Sequence, residues 1–374
     1  MTGLDVCLVS AAYRPYPSGV SEHVHHLAAE LRKLGHRVHV LTTNYGSGQA
    51  PEPDVTRLGR ALVLPANRSR FTFPFSIAMS GKVKRFLSGN RFDVIHCHGI
   101  FPPEIAYYAA SHARCPVVVT FHTLGVNLPG FVRAGFRALF PRLQHRVKAR
   151  IAVSKAGRRW AKEWFPDGFE VIPNGVDTDR FEPHARASVE INRLKRYVLF
   201  VGRLEKRKGL EVLLRALPPV MLEFPHIKCV VVGSGPLDAA ARRLAAGLRI
   251  EHRVRFVGPV PARELPGYYA ESEVFVSPAL GGEAMGIVLV EALACGRPVV
   301  ASDIDGYNEV IEHGRSGVLF PAGDSDALSA ELLDLLGDRD RSHRLAQQAR
   351  KRALDFSWSS VARRVESVYR RVIG

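Results

Sequence analysis

No stretch of the 374 residues approaches the apolar length of a membrane-spanning helix, and no apolar run follows a basic start. Neither a spanning segment nor a secretory leader is therefore expected. Cysteine is scarce: Cys7, Cys97, Cys115, Cys229 and Cys295 are odd in number, scattered, and mostly beside Val, Ile or Leu. That pattern excludes a disulfide framework and reads as reduced core residues of a cytosolic protein. The fifteen histidines show no metal-ligand spacing with acids or cysteines, so no metal is expected. No G-x-G-x-x-G follows the first strand, which argues against a dinucleotide enzyme, and no G-x-x-x-x-G-K-[ST] occurs anywhere, which argues against an NTPase.

Acidic residues are missing from two long windows. Between Asp54 and Asp93 stand Arg57, Arg60, Arg68, Arg70, Lys82, Lys84, Arg85 and Arg91 with no acid among them. Between Glu104 and Glu163 lie eleven more basic residues, including Arg133, Arg137, Arg142, Arg146, Lys148 and Arg150. Of the net charge of +16, residues 1–180 hold 24 Lys and Arg against 12 Asp and Glu, and the remainder 28 against 24. The first half thus presents a positive face to something anionic. Nucleic acid would exploit the same charge, but no nucleic-acid-binding module pattern is present and no such partner is expected. Over Phe71–Phe92, Phe71, Phe73, Phe75, Ile77, Met79, Val83, Phe86 and Leu87 mingle with Lys82, Lys84, Arg85 and Arg91. That mixture suits an interfacial segment on anionic lipid; a surface helix with a solvated basic face fits it equally.

The length suits two domains of ordinary size, and 46% hydrophobic with 24% charged residues is normal for a globular chain. Val6–Ser10, Arg37–Thr42, Asp93–Cys97, Val117–Phe121 and Arg150–Val153 read as strands buried on both faces, with Gly19–Leu34 at helical spacing between the first two. A second set runs through Tyr197–Val201, Ile227–Val232, Val254–Val257, Val274–Ser277, Pro298–Ala301 and Val318–Phe320. Helices are expected near Leu210–Glu223, Leu237–Ala246, Ile287–Ala294 and Ala327–Leu336. Val/Ile strands separated by helices mean parallel sheets covered on both faces. The polar, aperiodic Asp177–Arg196 reads as the linker between two doubly wound domains, whose ligand would sit in a cleft between them.

The segment Pro278–Leu293 carries the most chemistry. Glu283 and Glu291, eight positions apart, bracket a Gly-led turn that opens an almost wholly apolar helix. A helix apolar on every side is buried, so its N-terminus points into a protected place where free N–H groups and the positive dipole end favour an anion. Glu283 can reach a sugar hydroxyl and Glu291, two turns on, something else such as ribose hydroxyls. Together they describe a pocket for a nucleotide sugar; the plainer alternative is a buried β-loop-α unit with a stray surface Glu. Arg203 and Lys208, five residues apart across a strand-to-helix turn, can face one diphosphate leaving group without a metal. Lys206 and Arg207 between them read as solvated, and a simple polar turn is the alternative. Pro17-Ser18-Gly19-Val20 opens the first helix, where Gly19 lets backbone approach a phosphate or sugar. His122 follows the strand Val117–Phe121 and can bond a sugar hydroxyl or a reacting oxygen. His96 and His98 end another strand, and a satisfied structural histidine is the commoner outcome for each.

Gly202-Arg203…Lys208-Gly209, Val232-Gly233-Ser234-Gly235-Pro236, Glu283…Glu291 and Pro173-Asn174-Gly175-Val176-Asp177 together resemble the retaining GT-B glycosyltransferases of the GT4 family, over essentially the whole chain. Within that family the sequence is most similar to phosphatidylinositol mannosyltransferases. The closer match rests on Gly281-Gly282-Glu283…Gly286-Ile287-Val288-Leu289-Val290-Glu291, Thr120-Phe121-His122-Thr123 and Ala301-Ser302-Asp303-Ile304-Asp305. The resemblance implies an α/β, GT-B protein with two Rossmann-like doubly wound domains facing a central cleft. Residues 1–176 would form the acceptor and membrane side and 177–356 the donor-binding domain, with helix 357–374 packing back on the first.

The resemblance further implies that Arg203 and Lys208 hold the donor diphosphate, Glu291 the ribose and Glu283 the donor sugar. Gly202, Val260, Met285, Gly286, Ile287 and Val288 would bind the donor. His122 and Gly19 would line the acceptor side, Gly19 being counted with the donor contacts as well, and Lys82, Lys84 and Arg85 would meet the membrane. The implied donor is GDP-mannose and the acceptor an anionic inositol phospholipid, reached from the cytoplasm at the inner face of the cell membrane. A UDP-hexose used on a different lipid, polysaccharide or small molecule is the alternative. Same-face substitution, in which the leaving phosphate helps deprotonate the acceptor, needs neither a protein nucleophile nor a metal or other cofactor. Two departures bear on donor and acceptor identity: Ser18 stands where Gly is usual, which would narrow that loop, and Met285 replaces the usual aromatic. From another class, a non-catalytic binding protein is disfavoured by the retention of all four charged groups.

Overall fold

The Val/Ile strands and the helices between them sort into two units, Met1–Asn174 with Trp358–Gly374, and Gly175–Ser357. The computed structural model describes residues 3–374 apart from 17, 46–51, 67–68, 76–77, 102, 123–129, 131–142, 144, 166–167, 189–190, 192–193 and 195; residues 61–66 and 69–75 are described by their backbone. Pro17, Arg68, Ile77, Thr123, Arg133, Arg137 and Arg142 lie outside the described residues.

In the first unit, β1 (Asp5–Ser10), β2 (Arg37–Thr43) and β3 (Val55–Leu58) join β6 (Val94–His98), β7 (Val117–Phe121), β8 (Val147–Ala152) and β9 (Phe169–Val171). They form a seven-stranded sheet of order β3-β2-β1-β6-β7-β8-β9, its pairs all parallel. β4 (Arg60–Ala66) and β5 (Ser69–Phe75) make a separate antiparallel hairpin. The helices of this unit are α1 (Gly19–Lys33), α2 (Met79–Gly89), α3 (Ile105–His112), α4 (Lys155–Ala161) and, from the far end of the chain, α11 (Trp358–Ile373). Cores form on both faces of the sheet, as continuous apolar strands require. Val24, Leu27 and Leu31 of α1 meet Val361, Val365, Val368 and Tyr369 of α11 in one of them.

Met79, Val83 and Leu87, spaced by single turns of α2, fill the other. This corrects one expectation about Phe71–Phe92, because the apolar side of its helix is sealed in the core and cannot enter a lipid interface. Phe86 packs half-buried near His39 and Phe92, at ring distances of 5.2 and 6.0 Å, whereas Lys82, Lys84 and Arg85 are exposed. What α2 offers to its surroundings is charge. Among the described residues no helix is long and apolar enough to cross a membrane.

The second unit holds β10 (Tyr197–Val201), β11 (Lys228–Val232), β12 (Val254–Gly258), β13 (Val274–Ser277), β14 (Val299–Asp303) and β15 (Val318–Pro321). Their order is β12-β11-β10-β13-β14-β15. Helices α5 (Leu210–Glu223), α6 (Asp238–Gly247), α7 (Leu265–Ala270), α8 (Ile287–Ala294), α9 (Ser325–Gly337) and α10 (Arg339–Leu354) cover it. Tyr197, Leu199, Val230 and Phe275 point to one core, and Val198, Phe200, Cys229 and Val231 to the other, the period-2 signature of a strand buried twice. Asp177–Arg196 is part of this unit and no linker: Phe181 and Ile191 are in its core. Arg350 fixes the segment by donating to the carbonyls of Thr178 at 3.1 Å and Phe181 at 3.0 Å. Its polarity misled because its few buried apolar residues are too widely spaced to set a period. In both sheets the strand order turns back beside the first strand, at β1/β6 and at β10/β13. The carboxyl edge at such a switch point is the usual ligand position of a doubly wound sheet.

Candidate donor site and histidine cluster

β10 runs into Gly202–Gly209 and β13 into Pro278–Gly286, so the residues singled out in the second unit flank its switch point. The two loops are joined backbone to backbone. Leu280 N–H donates to the Arg207 carbonyl at 2.8 Å. Gly209, left-handed at φ 68°, lies so close to the other loop that a Cβ would sit 1.7 Å from the Pro278 carbonyl oxygen. Only glycine permits this approach, and it brings Glu283 to the cations of the first loop.

Those charges form a chain of alternating sign. Arg203 Nε is 2.9 Å from Glu205 Oε1, and Arg207 Nε donates to Glu205 Oε2 at 3.1 Å. Arg207 also bonds Glu283, whose Oε1 lies 2.7 Å from Lys208 Nζ. Both carboxylates are largely covered, while Arg203 is more than half exposed. Arg207 is exposed, as Lys206 is, but unlike a solvated bystander it bonds both carboxylates. Lys208 and Glu283 are brought together directly. Arg203 reaches them through Glu205 and Arg207.

Gly286 caps α8 in the left-handed region, φ 78°, and a Cβ there would meet the Tyr307 ring at 2.5 Å. Tyr307 is itself tied to Ser277 at 2.8 Å between hydroxyls. Met285, Leu289, Val290, Ala292, Leu293 and Ala294 are buried, but Ile287, Val288 and Glu291 share a face that is only partly covered. This corrects the expectation of a helix buried on every side: one stripe of it is only partly covered, and the second carboxylate is on that stripe. Val260, in the loop after β12, packs half-buried against the same core as Val288. Gly202 N–H continues the sheet by donating to the Val232 carbonyl at 3.0 Å. Glu291 Oε2 accepts from the Tyr269 hydroxyl at 2.8 Å. Burial pushes its carboxyl up to about 7, against the opposing pull of that hydrogen bond and of Arg180. Tyr269 is held edge-on by Phe181 and Phe275, at ring distances of 5.9 and 5.2 Å.

In the first unit Gly19 starts α1. Ser18 is the N-cap, its Oγ accepting from Ser21 N–H at 3.1 Å, so this departure from the family pattern has a capping role. His122 stands just past β7, His98 ends β6 and His23 lies one turn into α1. His98 Nδ1 and His122 Nε2 are 2.9 Å apart, and His23 Nδ1 is 3.0 Å from Asn174 Oδ1. One ring nitrogen from each of these three histidines falls within 4.8 Å of the others. Through-space packing thus assembles what linear spacing concealed, a set of imidazoles with donor atoms close enough for one ion, although two of them already bond each other. His96 is a satisfied core residue, with Nδ1 2.6 Å from the Tyr369 hydroxyl and Nε2 2.7 Å from Thr120 Oγ1.

Burial pushes the His122 imidazole down to about 4 and His96 to about 3, and holds His23 and His98 well below the ordinary value of 6.5. All four are neutral when folded. Unfolded, they take up protons once the pH falls below about 6.5, so the stability of this unit is complete above that value and declines as the pH drops toward 4. Glu104, pushed up to about 7 by burial, works in the opposite sense and offsets about one of them. The three tryptophans, Trp160, Trp164 and Trp358, all belong to this unit. Denaturant unfolding followed by tryptophan fluorescence should therefore show a lower midpoint at pH 5 than at pH 7; an unchanged or higher midpoint contradicts the neutral cluster.

Glu205, Arg207, Tyr269, His23 and Asn174 were not assigned from sequence. Within their motifs Glu205 and Asn174 have no role legible from the sequence, and Arg207 reads as solvated. Tyr269 and His23 gave no local signal, since their partners are 22 and 151 positions away.

The chain matches the model of "Glycosyl transferases group 1" over residues 181–352 and that of "Glycosyltransferase Family 4" over residues 17–180. It is 38% identical to the phosphatidyl-myo-inositol mannosyltransferase of Mycobacterium leprae, over 95% of this chain and 94% of that one. It is 28% identical to the GDP-mannose-dependent alpha-(1-6)-phosphatidylinositol monomannoside mannosyltransferase of Mycolicibacterium smegmatis, over 94% of each. A glycosyltransferase from Rickettsia africae superposes with a TM-score of 0.79 at 18% identity, covering 100% of this chain and 99% of that one, a likeness of fold. The two Rossmann-like units are those of the GT-B architecture, and the chain belongs to glycosyltransferase family 4.

Proposed function

We propose that this protein transfers mannose, with retention, from GDP-mannose to the inositol head group of phosphatidylinositol, working as a peripheral protein at the cytoplasmic face of the membrane. The observation that carries the reading is the alternating chain Arg203–Glu205–Arg207–Glu283–Lys208 at the switch point. A diphosphate leaving group develops negative charge as its bond to the sugar breaks, and cations already fixed in a sheltered site stabilise that charge without reorganising. Arg203 and Lys208 are assigned to the diphosphate, Glu283 to the sugar hydroxyls and Glu291 to the ribose. The head-group oxygen bonds to the anomeric carbon on the face that the phosphate leaves, and its proton passes to the departing phosphate oxygen. The names of the relatives support mannose and phosphatidylinositol. The exposed Lys82, Lys84 and Arg85 suit an anionic surface by charge alone.

The test is incubation with phosphatidylinositol vesicles and, in parallel, GDP-mannose, UDP-glucose or UDP-N-acetylglucosamine, with the lipids analysed by mass spectrometry. Addition of one hexose with GDP-mannose is expected. Turnover only with a UDP-sugar, or only on a soluble acceptor, overturns the corresponding half of the proposal. Replacing Lys82, Lys84 and Arg85 together by Gln should weaken vesicle binding at low salt and leave it little changed at high salt.

A further inference from the structure

Glu283 is paired with cations proposed for the diphosphate. Its Oε1 lies 2.7 Å from Lys208 Nζ and the same carboxylate bonds Arg207. The geometry points to Glu283 as an internal placeholder for a nucleoside diphosphate: it neutralises Lys208 and Arg207 and yields them when the phosphates arrive. This inference rests on the donor reading of the site and deepens it.

Charge and position both favour exchange over coexistence. Within the ion chain three cations, Arg203, Arg207 and Lys208, stand against two carboxylates, Glu205 and Glu283; the loop's fourth cation, Lys206, is exposed and outside the chain. If Glu283 stayed in place, a doubly charged diphosphate would leave the chain of paired groups with more negative than positive charge around the covered Glu205 and Glu283, where like charges are costly. Once Glu283 turns away, the three cations balance the diphosphate and Glu205. The two carboxylates also differ in mounting. Glu205 lies between Arg203 and Arg207 in a turn held to the sheet by Leu204 N–H, which donates to the Ser234 carbonyl at 3.1 Å. It is placed to keep both guanidinium groups aimed. Glu283 stands in the loop between two left-handed glycines, Gly282 at φ 72° and Gly286 at φ 78°, a backbone that can turn more easily than a β-branched run. The same displacement frees a carboxylate where the sugar attached to the diphosphate must lie, so the phosphates would prepare the sugar contact by arriving.

The inference reverses the usual expectation for a binding-site residue. Glu283→Gln keeps the size of the side chain and removes the competing charge, so free GDP, UDP and inorganic pyrophosphate should each bind about three- to tenfold more tightly than to the wild type. The same variant should turn over sugar nucleotide more slowly, because the freed carboxylate is missing. Calorimetric titration of the full-length chain measures the first, steady-state kinetics the second, and Glu283→Ala repeats the binding measurement should the amide find new partners. Tighter nucleotide binding with slower turnover is the expected result. Unchanged or weaker binding in both variants overturns the placeholder and leaves Glu283 as a fixed support for Lys208. Should the wild type bind none of the three probes, the donor reading fails, and the placeholder with it.

Discussion

Lys208→Ala is expected to lower kcat for sugar transfer by about 10²–10³-fold, the usual cost of removing one preorganised donor from a site of developing charge. The side chain is 15% exposed and its Nζ is held 2.7 Å from Glu283, so the ammonium is fixed by a protein partner. It cannot be replaced by Arg203, which is tied to Glu205 and more than half exposed. Because Lys208 sits where β10 has already given way to the turn, its loss removes charge without cutting a core contact, and the melting temperature should change little. Kinetics with GDP-mannose and phosphatidylinositol vesicles, alongside a melting curve, make the comparison. A variant that transfers sugar at the wild-type rate would withdraw Lys208 from the leaving group.

Gly209→Ala should be the most damaging single methyl group in the second unit, destabilising it by about 3 kcal/mol or more. Two costs add. The left-handed backbone, φ 68°, disfavours any residue with a Cβ, and the new carbon would lie 1.7 Å from the Pro278 carbonyl oxygen and 2.7 Å from its carbon. Neither neighbour is a side-chain end that can swing aside, so the two loops must separate. Their separation would also break the Leu280–Arg207 backbone bond and carry Glu283 away from Lys208. Denaturant unfolding followed by circular dichroism reads the stability, and a nucleotide titration reads the site. A change below about 1 kcal/mol would mean that the loops part at little cost and that their contact does not build the site.

Much of the fold was legible because both sheets are buried on two faces, which writes strands as uninterrupted Val/Ile runs. Tyr197–Val201, Val117–Phe121, Leu210–Glu223 and Ile287–Ala294 fall where the apolar pattern places them. Elements that contribute little to a core were missed. β9 is three half-buried residues, and α10 is so charged that only Leu345, Ala349 and Ala353 are buried. The error over Asp177–Arg196 is of the same kind, since Phe181 and Ile191 are too few to set a period. At the site, residue types at strand ends identified Arg203, Lys208, Glu283 and Glu291 as charged groups of interest. The partners of those groups come from other loops and had no signature in the chain. Glu205 and Arg207 did stand in plain view, but a Glu-Lys-Arg run reads as solvated surface until a second loop is laid across it.

The return of α11 to the first unit sets an order for assembly. Gly175–Ser357 lies wholly between the two segments that make up the first unit. A chain emerging from the ribosome can thus close its later sheet while the earlier one still lacks Trp358, Val361, Val365, Val368 and Tyr369. Until Tyr369 docks, His96 Nδ1 has no phenol to meet, and the apolar face of α1 has no cover. The second unit is in this sense the one that can mature first, and the first is finished only once α11 has been made.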